Sequence, residues 1–413
     1  MSVLDRAAAT NPVGLGLAAI GRPAYINLGR DHDLGEDRSR GALEARAHAV
    51  LDAAWEAGVR YFDAARSYGL AEAFLASWLT TRDHSAHAFV IGSKWGYIYT
   101  GQWRMREPVQ EHKDLSVATF RRQLAETRQL LADNLGQYQI HSATIESGVF
   151  DDEELLAELA ALRRSGVAIG VTVTGPGQAE SIDRALEIGI FDTVQATWNL
   201  LERSAAPALQ RARDAGLGVI VKEALANGRL TIHGADPALL AYARDRDVPP
   251  DAVAIAAAIS QPWSDVVLSG AVSPEMLASN LRALELVHDG NRAADALSQL
   301  SRLGGLLAAA QPAGVALVLG SGYVAARVGV VCSAAGSKAK SRHSFEVGDV
   351  ASVHGEPVDQ RGRGDERVGQ SDADVVSDAA GLLGDLTVDR ILGHRPKQSP
   401  DLLALRLAAR SGP

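Results

Sequence analysis

Four polar side chains stand where apolar runs of the chain stop. Asp63 and Tyr68 lie in Tyr61-Phe62-Asp63-Ala64-Ala65-Arg66-Ser67-Tyr68-Gly69, Lys94 follows Ala88-Phe89-Val90-Ile91-Gly92, and His141 closes Tyr138-Gln139-Ile140. If the apolar runs are strands, each of these residues sits at or just beyond a strand end. A carbonyl that receives hydride at carbon needs a proton at oxygen. A phenol suits that task, but its reference pKa of about 10 is too high for efficient transfer near neutrality. An ammonium beside the phenol stabilises the phenolate and lowers that pKa. Lys94 can supply this charge, Asp63 can hold and orient Lys94, and His141 can donate a hydrogen bond that positions the carbonyl oxygen. Taken singly, each residue has a plainer role: an Asp as a cap, a Lys as a solvated charge, a His as a packed ring. The chemical reading rests on the four together.

Positioning them requires a shared edge. From Pro12 onward, short apolar runs alternate with longer amphipathic stretches, the pattern of βα units and a parallel sheet. Strands are expected at residues 13–21, 59–63, 88–92, 138–141, 167–174, 193–198, 218–222 and 266–268. Helices are expected at 42–57, 71–79, 115–135, 153–165, 179–188, 207–215, 251–259 and 274–286. Eight such units with right-handed connections close into a (β/α)₈ TIM barrel of the α/β class, with its site at the C-terminal ends of the strands. Gly14-Leu15-Gly16 is no dinucleotide fingerprint, because no helix with a third Gly and a later acid follows it directly.

Composition narrows the rest. A chain of 413 residues has room for one such barrel and something more, or for two ordinary domains. The net charge of −9 and pI near 5.7, with basic residues spread out, exclude a nucleic-acid partner. The single cysteine, Cys332, excludes an internal disulfide framework and a cysteine-rich metal site, so a reducing, cytoplasmic location without metal is expected. Residues 1–14 show no secretory pattern. Residues 303–326 are uncharged and long enough to suggest a membrane span, but Gln311, Pro312 and several Gly interrupt them and no aromatic belt brackets them. No membrane partner is expected. All six Trp precede residue 300, and the later chain has only Tyr323 and Phe345 as aromatics. The domain boundaries read as 12–300 for the barrel and 301–413 for a disordered tail outside it.

The motif Phe62-Asp63 to Tyr68-Gly69, Lys94 within Gly92-Ser93-Lys94-Trp95-Gly96, and His141 within Gln139-Ile140-His141-Ser142 together resemble the tetrad of the aldo/keto reductases. They match in type, order and spacing, and the resemblance covers residues 12–295. It implies an oxidoreductase that uses NADP or NAD to reduce aldehydes or ketones, or to oxidise the corresponding alcohols, with Tyr68 as general acid and base. The substrate would be a small carbonyl compound or a sugar. An aldose 1-dehydrogenase working oxidatively, or a cofactor-binding regulatory barrel with little turnover, are the alternatives.

The resemblance also implies cofactor contacts. Gln195, in Val194-Gln195-Ala196-Thr197-Trp198-Asn199, matches the segment that meets the nicotinamide carboxamide. Thr172 keeps a hydroxyl after strand five, although Val173 replaces the family's amide. Lys222 and Leu225 lie in Val221-Lys222-Glu223-Ala224-Leu225, where the family often places an aromatic at the position of Lys222. Gly270, Ser273 and Asn280 match the final loop and helix start at the adenosine phosphate end, a sound anion site in physical terms. Gly270 and Met276 stand where many members carry basic residues, which leaves NAD possible beside NADP. Trp95, Tyr97, Tyr99 and Trp103 are expected in one loop over the site. There they either form a wall for an apolar carbonyl or a sugar face, with Trp95 and Tyr97 against the substrate, or pack on themselves.

Overall fold

The computed structural model describes residues 2–287, apart from 25–32, 83–88, 106, 108 and 235–236. The expected tail at 301–413, the apolar stretch at 303–326 and Cys332 lie outside the described residues. Ten strands occur in chain order: β1 Val13–Gly16, β2 Tyr61–Asp63, β3 Val90–Trp95, β4 Tyr97–Tyr99, β5 Glu111–Lys113, β6 Leu135–Ala143, β7 Ala168–Val173, β8 Thr193–Thr197, β9 Gly218–Lys222 and β10 Val266–Ser269. Eight of them close a barrel in the order β1-β10-β9-β8-β7-β6-β3-β2, every pair parallel. The (β/α)₈ expectation is met.

The sealing layer between strands and helices follows from alternation. In β2, Phe62 points outward onto Trp78 of the helix Ala71–Thr81, with ring centroids 5.5 Å apart, while Tyr61 and Asp63 point into the barrel. Inside, Tyr61 donates to Gln137 Oε1 at 3.0 Å and Gln137 donates in turn to Thr193 Oγ1. Room for these large polar side chains comes from a neighbour without one: a Cβ on Gly92 would lie 2.5 Å from the Tyr61 hydroxyl oxygen. The floor is apolar, with Val90, Ile220 and Val266 clustering against Leu4 and Ala7 near the N-terminus.

Helix starts obey local capping. Ser39 accepts from Ala42 N, Ser116 from Thr119 N and Asp152 from Leu155 N, each before a long amphipathic helix: Arg40–Glu56, Val117–Leu131 and Glu153–Arg164. Several expectations need correction. The segment following β3 is not one irregular loop, because β4 and β5 pair antiparallel with Ile98 opposite His112. The helix Pro237–Asp245 was not anticipated; it buries Leu239, Tyr242 and Ala243 on one face. The closing helix is broken after Leu281, and Ala283–Val287 forms a separate short piece. The first strand stops at Gly16, because residues 18–23 leave the barrel as turns. No helix among the described residues is long and apolar enough to cross a membrane.

Candidate active site

The ends of β2, β3 and β6 bring Asp63, Lys94 and His141 together, and the loop after β2 adds Tyr68. Lys94 Nζ donates to Asp63 Oδ2, to Ala64 O at 3.1 Å and to Tyr68 Oη at 3.4 Å. Asp63 and Lys94 are both almost fully buried, so this ion pair is held away from water. Burial pushes the Lys94 pKa down, and the Asp63 carboxylate pulls it back only in part. An ammonium that is costly to keep charged, touching a phenol oxygen, is the arrangement that favours phenolate formation.

His141 meets Tyr68 edge-on, with ring centroids 5.5 Å apart at 85°. Burial first, then the charges of Lys94, Lys222, Arg22 and Lys113, hold its pKa well below the ordinary histidine value. The ring is therefore neutral near pH 7, with one nitrogen able to donate. Its Nδ1 is buried and has no hydrogen-bond partner among the described residues. Tyr97 also meets the ring edge-on, with centroids 4.8 Å apart at 64°. Burial, then Glu111, pushes the Tyr97 phenol up to about 12, which makes it the poorer proton donor.

Local backbone chemistry holds these groups. The Tyr68-Gly69 turn lies backbone to backbone on residue 21: Leu70 N donates to Gly21 O at 2.7 Å. Gly69 has φ +63°, and a Cβ there would lie 2.5 Å from Gly21 O, so only glycine fits the position without displacement. Arg66, between Asp63 and Tyr68, donates its backbone N–H to Lys94 O at 3.0 Å. Its guanidinium reaches Glu72, which also accepts from Ser93 Oγ at 2.5 Å and Thr127 Oγ1 at 2.9 Å. Glu72 thus locks the Tyr68 loop to β3 and the helix Val117–Leu131. Ser142, after His141, sits at φ +57°, a strained value for a non-glycine residue. Two contacts fix it: its N–H donates to Thr172 Oγ1 at 2.7 Å, and Lys113 Nζ donates to its carbonyl at 2.7 Å. Arg22 is buried and paired with Glu111 at 2.9 Å. Glu72, Lys113, Ser142 and the Arg22–Glu111 pair were not singled out from sequence. For the four charged ones, a charge near an apolar run was the only signal in the sequence; Ser142 offered none.

A single cavity at the barrel mouth joins most of the expected positions. Its lining includes Asp63, Tyr68, His141, Thr172, Gln195, Lys222, Leu225, Gly270 and Asn280. Gln195 Nε2 donates to Asp63 Oδ1 at 3.0 Å, which ties the β8 residue to the ion pair. Lys94 and Tyr97 are not part of this lining, although each contacts a residue that is, and three further residues named above lie elsewhere. Ser273 is the N-cap of the helix Pro274–Leu281, accepting from Met276 N at 3.3 Å, and does not line the cavity. Asn199 turns away, accepting from Leu201 and Glu202 N–H groups and donating to Glu223 O at 3.0 Å. Trp95, expected in a wall against substrate, is fully buried and packs edge-on against Phe120 at 5.1 Å, outside the barrel. The reason is alternation: β3 runs on to Trp95, so Lys94 faces in and Trp95 faces the helix. Trp103 is not in the lining either: it donates from Nε1 to Arg38 O at 2.9 Å and meets Phe74 edge-on at 6.4 Å.

The sequence profile of the aldo/keto reductase family matches residues 33–298, more than half of the chain. The chain belongs to that family. It is therefore an oxidoreductase of a family that works with nicotinamide dinucleotides on small carbonyl substrates. Among curated relatives, a D-threo-aldose 1-dehydrogenase of a Pseudomonas species is 25% identical over 327 residues, covering 69% of this chain and 95% of that protein. An uncharacterized oxidoreductase of Bacillus subtilis is 26% identical over 201 residues, covering 45% of this chain and 60% of that one. Among solved structures, an aldo-keto reductase of Bacillus halodurans in its holo form superposes with a TM-score of 0.53 at 20% identity, over 70% of this chain and 91% of that one. A glycerol dehydrogenase of Gluconobacter oxydans does so with a TM-score of 0.53 at 21% identity, over 70% and 91%. These two likenesses establish the barrel fold of this aldo/keto reductase.

Proposed function

We propose that this chain interconverts a small carbonyl compound and its alcohol using NAD or NADP, with Tyr68 giving or taking the proton at the substrate oxygen. The observation that carries the reading is the contact of Lys94 with both Asp63 and the Tyr68 hydroxyl, with a neutral His141 ring against the same phenol.

The residues around the cavity suit a nicotinamide dinucleotide in their chemistry. They include Tyr68 and His141, residues at the ends of β7 to β10, and Met276 and Asn280 of the helix Pro274–Leu281. Small residues among them, Gly228, Gly270 and Ala271, let a ligand approach the backbone closely, and Thr172 and Gln195 sit at the reactive end. When bound, the dinucleotide supplies or accepts hydride. The chain's own residues do the rest. Lys94 stabilises the Tyr68 phenolate, Asp63 holds Lys94, and Gln195 holds Asp63. His141 donates to the substrate oxygen and keeps it within reach of the Tyr68 hydroxyl. In the reducing direction Tyr68 gives its proton as hydride reaches carbon; in the oxidising direction the phenolate takes the alcohol proton as hydride leaves.

The curated aldose dehydrogenase relative favours a second, narrower reading: oxidation of an aldose at its anomeric carbon to the lactone, with Tyr68 as base. One experiment addresses all three readings. Fluorescence titration of the purified chain with NADH and NADPH, followed by turnover on a panel of aldehydes, ketones and aldoses, expects binding and hydride transfer. Turnover with aldoses and NAD(P)⁺ alone selects the dehydrogenase. Binding with negligible turnover on the whole panel would leave a regulatory barrel and overturn the proposal.

A further inference from the structure

Lys222 is a cation in the wall of the reaction cavity that the proton chemistry above does not use. It is the last residue of β9, and it lines the cavity together with Asp63, Tyr68, His141 and Gln195. Its Nζ donates to Thr197 Oγ1 at 2.9 Å on the neighbouring strand and lies 3.4 Å from Glu223 Oε1. Glu223, in turn, accepts from Thr197 Oγ1 at 3.1 Å through Oε2 and holds φ +59°, with its carbonyl pinned by Asn199 Nδ2 at 3.0 Å. The cation is therefore built into the cavity wall by three residues and not left to swing in solvent.

We infer that Lys222 makes this site hold the reduced dinucleotide more tightly than the oxidised one, a reading that rests on the nicotinamide function proposed above. The reason is charge. Loss of hydride, one proton and two electrons, turns the neutral dihydronicotinamide ring into a pyridinium carrying one positive charge. An ammonium in the cavity wall repels the pyridinium and is indifferent to the neutral ring, so it separates the two affinities. Of the other charges near the reactive end, Asp63 and Lys94 neutralise each other in a buried pair, Arg22 and Glu111 do the same, and Lys113 is bonded to the Ser142 carbonyl. Glu223 pairs with Lys222 at 3.4 Å and lines the same cavity, so it offsets part of the charge; at His141, however, the effect of Lys222 is felt and that of Glu223 is not. Lys222 acts as a net positive charge on the reacting end, since it is one of the cations, after burial and Lys94, that keep His141 neutral. On the enzyme, the same preference drives hydride from substrate to cofactor, the direction a dehydrogenase requires.

The test is binding, not turnover. Dissociation constants of NAD⁺, NADH, NADP⁺ and NADPH are measured for the full chain by tryptophan quenching at fixed ionic strength, for the wild type, Lys222→Met and Glu223→Gln. Within each pair, the oxidised-to-reduced ratio of constants is expected to fall about tenfold in Lys222→Met, the size of a screened charge interaction across a cavity wall. It is expected to rise in Glu223→Gln, where the counter-charge is lost. Because the two variants move the ratio in opposite directions, a general loosening of the site cannot imitate the result. A ratio that stays within twofold of the wild type in both variants overturns the inference and leaves the proposed function standing. Failure of the wild type to bind any of the four overturns both.

Discussion

Replacing Lys94 by Met removes one charge and keeps most of the side-chain volume. Its effect on chemistry can be worked from the 3.4 Å separation of Lys94 Nζ and Tyr68 Oη. A unit pair at that distance is worth about 5 kcal/mol at an effective dielectric of about 20. Asp63 shares the ammonium and Tyr68 is partly open to solvent, so about half of that reaches the phenolate. A loss of about 2.5 kcal/mol corresponds to about a seventyfold fall in kcat. The substitution also leaves Asp63 buried with Gln195 as its remaining side-chain donor, and breaking a buried pair costs about 3–5 kcal/mol of stability. The two effects separate in the double variant Asp63→Asn with Lys94→Met, which restores the melting temperature and leaves kcat low. The assay is kcat with the best substrate of the panel, beside cofactor dissociation constants and thermal melts for all three proteins. If kcat of Lys94→Met stays within threefold of the wild type while the variant remains folded, the phenolate argument is wrong.

Tyr68→Phe removes only a hydroxyl; the Gly69 turn and the Leu70 bond to Gly21 remain, so cofactor binding should persist while kcat falls by about a hundredfold or more. Near-normal turnover would exclude Tyr68 as the proton donor. For His141, the folded pKa lies below the unfolded one, so the unfolded state binds the extra proton as pH falls through about 6.5. Stability should therefore be full above that value and decline below it, by about 1.4 kcal/mol at pH 5.5 relative to His141→Gln. Equal slopes of stability with pH in the two proteins, measured by urea melts, would show that His141 is not desolvated. Finally, the cavity end formed by Leu268, Gly270, Ala271, Met276 and Asn280 carries no Arg or Lys among the described residues, and Arg282 is committed to Glu285 and to Asp247 O. Dissociation constants for NADH and NADPH should accordingly differ by less than about tenfold, since a 2′-phosphate preference needs a charge-assisted partner. NADPH binding a hundredfold tighter would refute this.

The barrel was legible because its strands announce themselves twice, by apolar runs and by the amphipathic stretches between them. The polar residues at their ends stood out for the same reason, since Asp63, Lys94 and His141 interrupt runs that would otherwise stay apolar. Long-range partners left no such mark. Arg22 and Glu111 meet across the fold, and Lys113 reaches Ser142 from a hairpin that reads in sequence as a loop. Periodicity reports which face of an element is buried, not what buries it. The placing of Trp95 was a more instructive miss. With the third strand ended at Gly92, Trp95 belongs to a loop and is free to face substrate. In the folded chain β3 continues to Trp95, and alternation then allows only one of two neighbours to enter the barrel. Lys94 is the one that enters, and its pairing with Asp63 requires it. Outside, Ser93 bonds to Glu72 and Trp95 packs on Phe120, so both neighbours anchor β3 to its covering helices. The same strand geometry that delivers the ammonium to Tyr68 therefore removes Trp95 from the site, and a reading that assigns Lys94 to the chemistry commits Trp95 to the core.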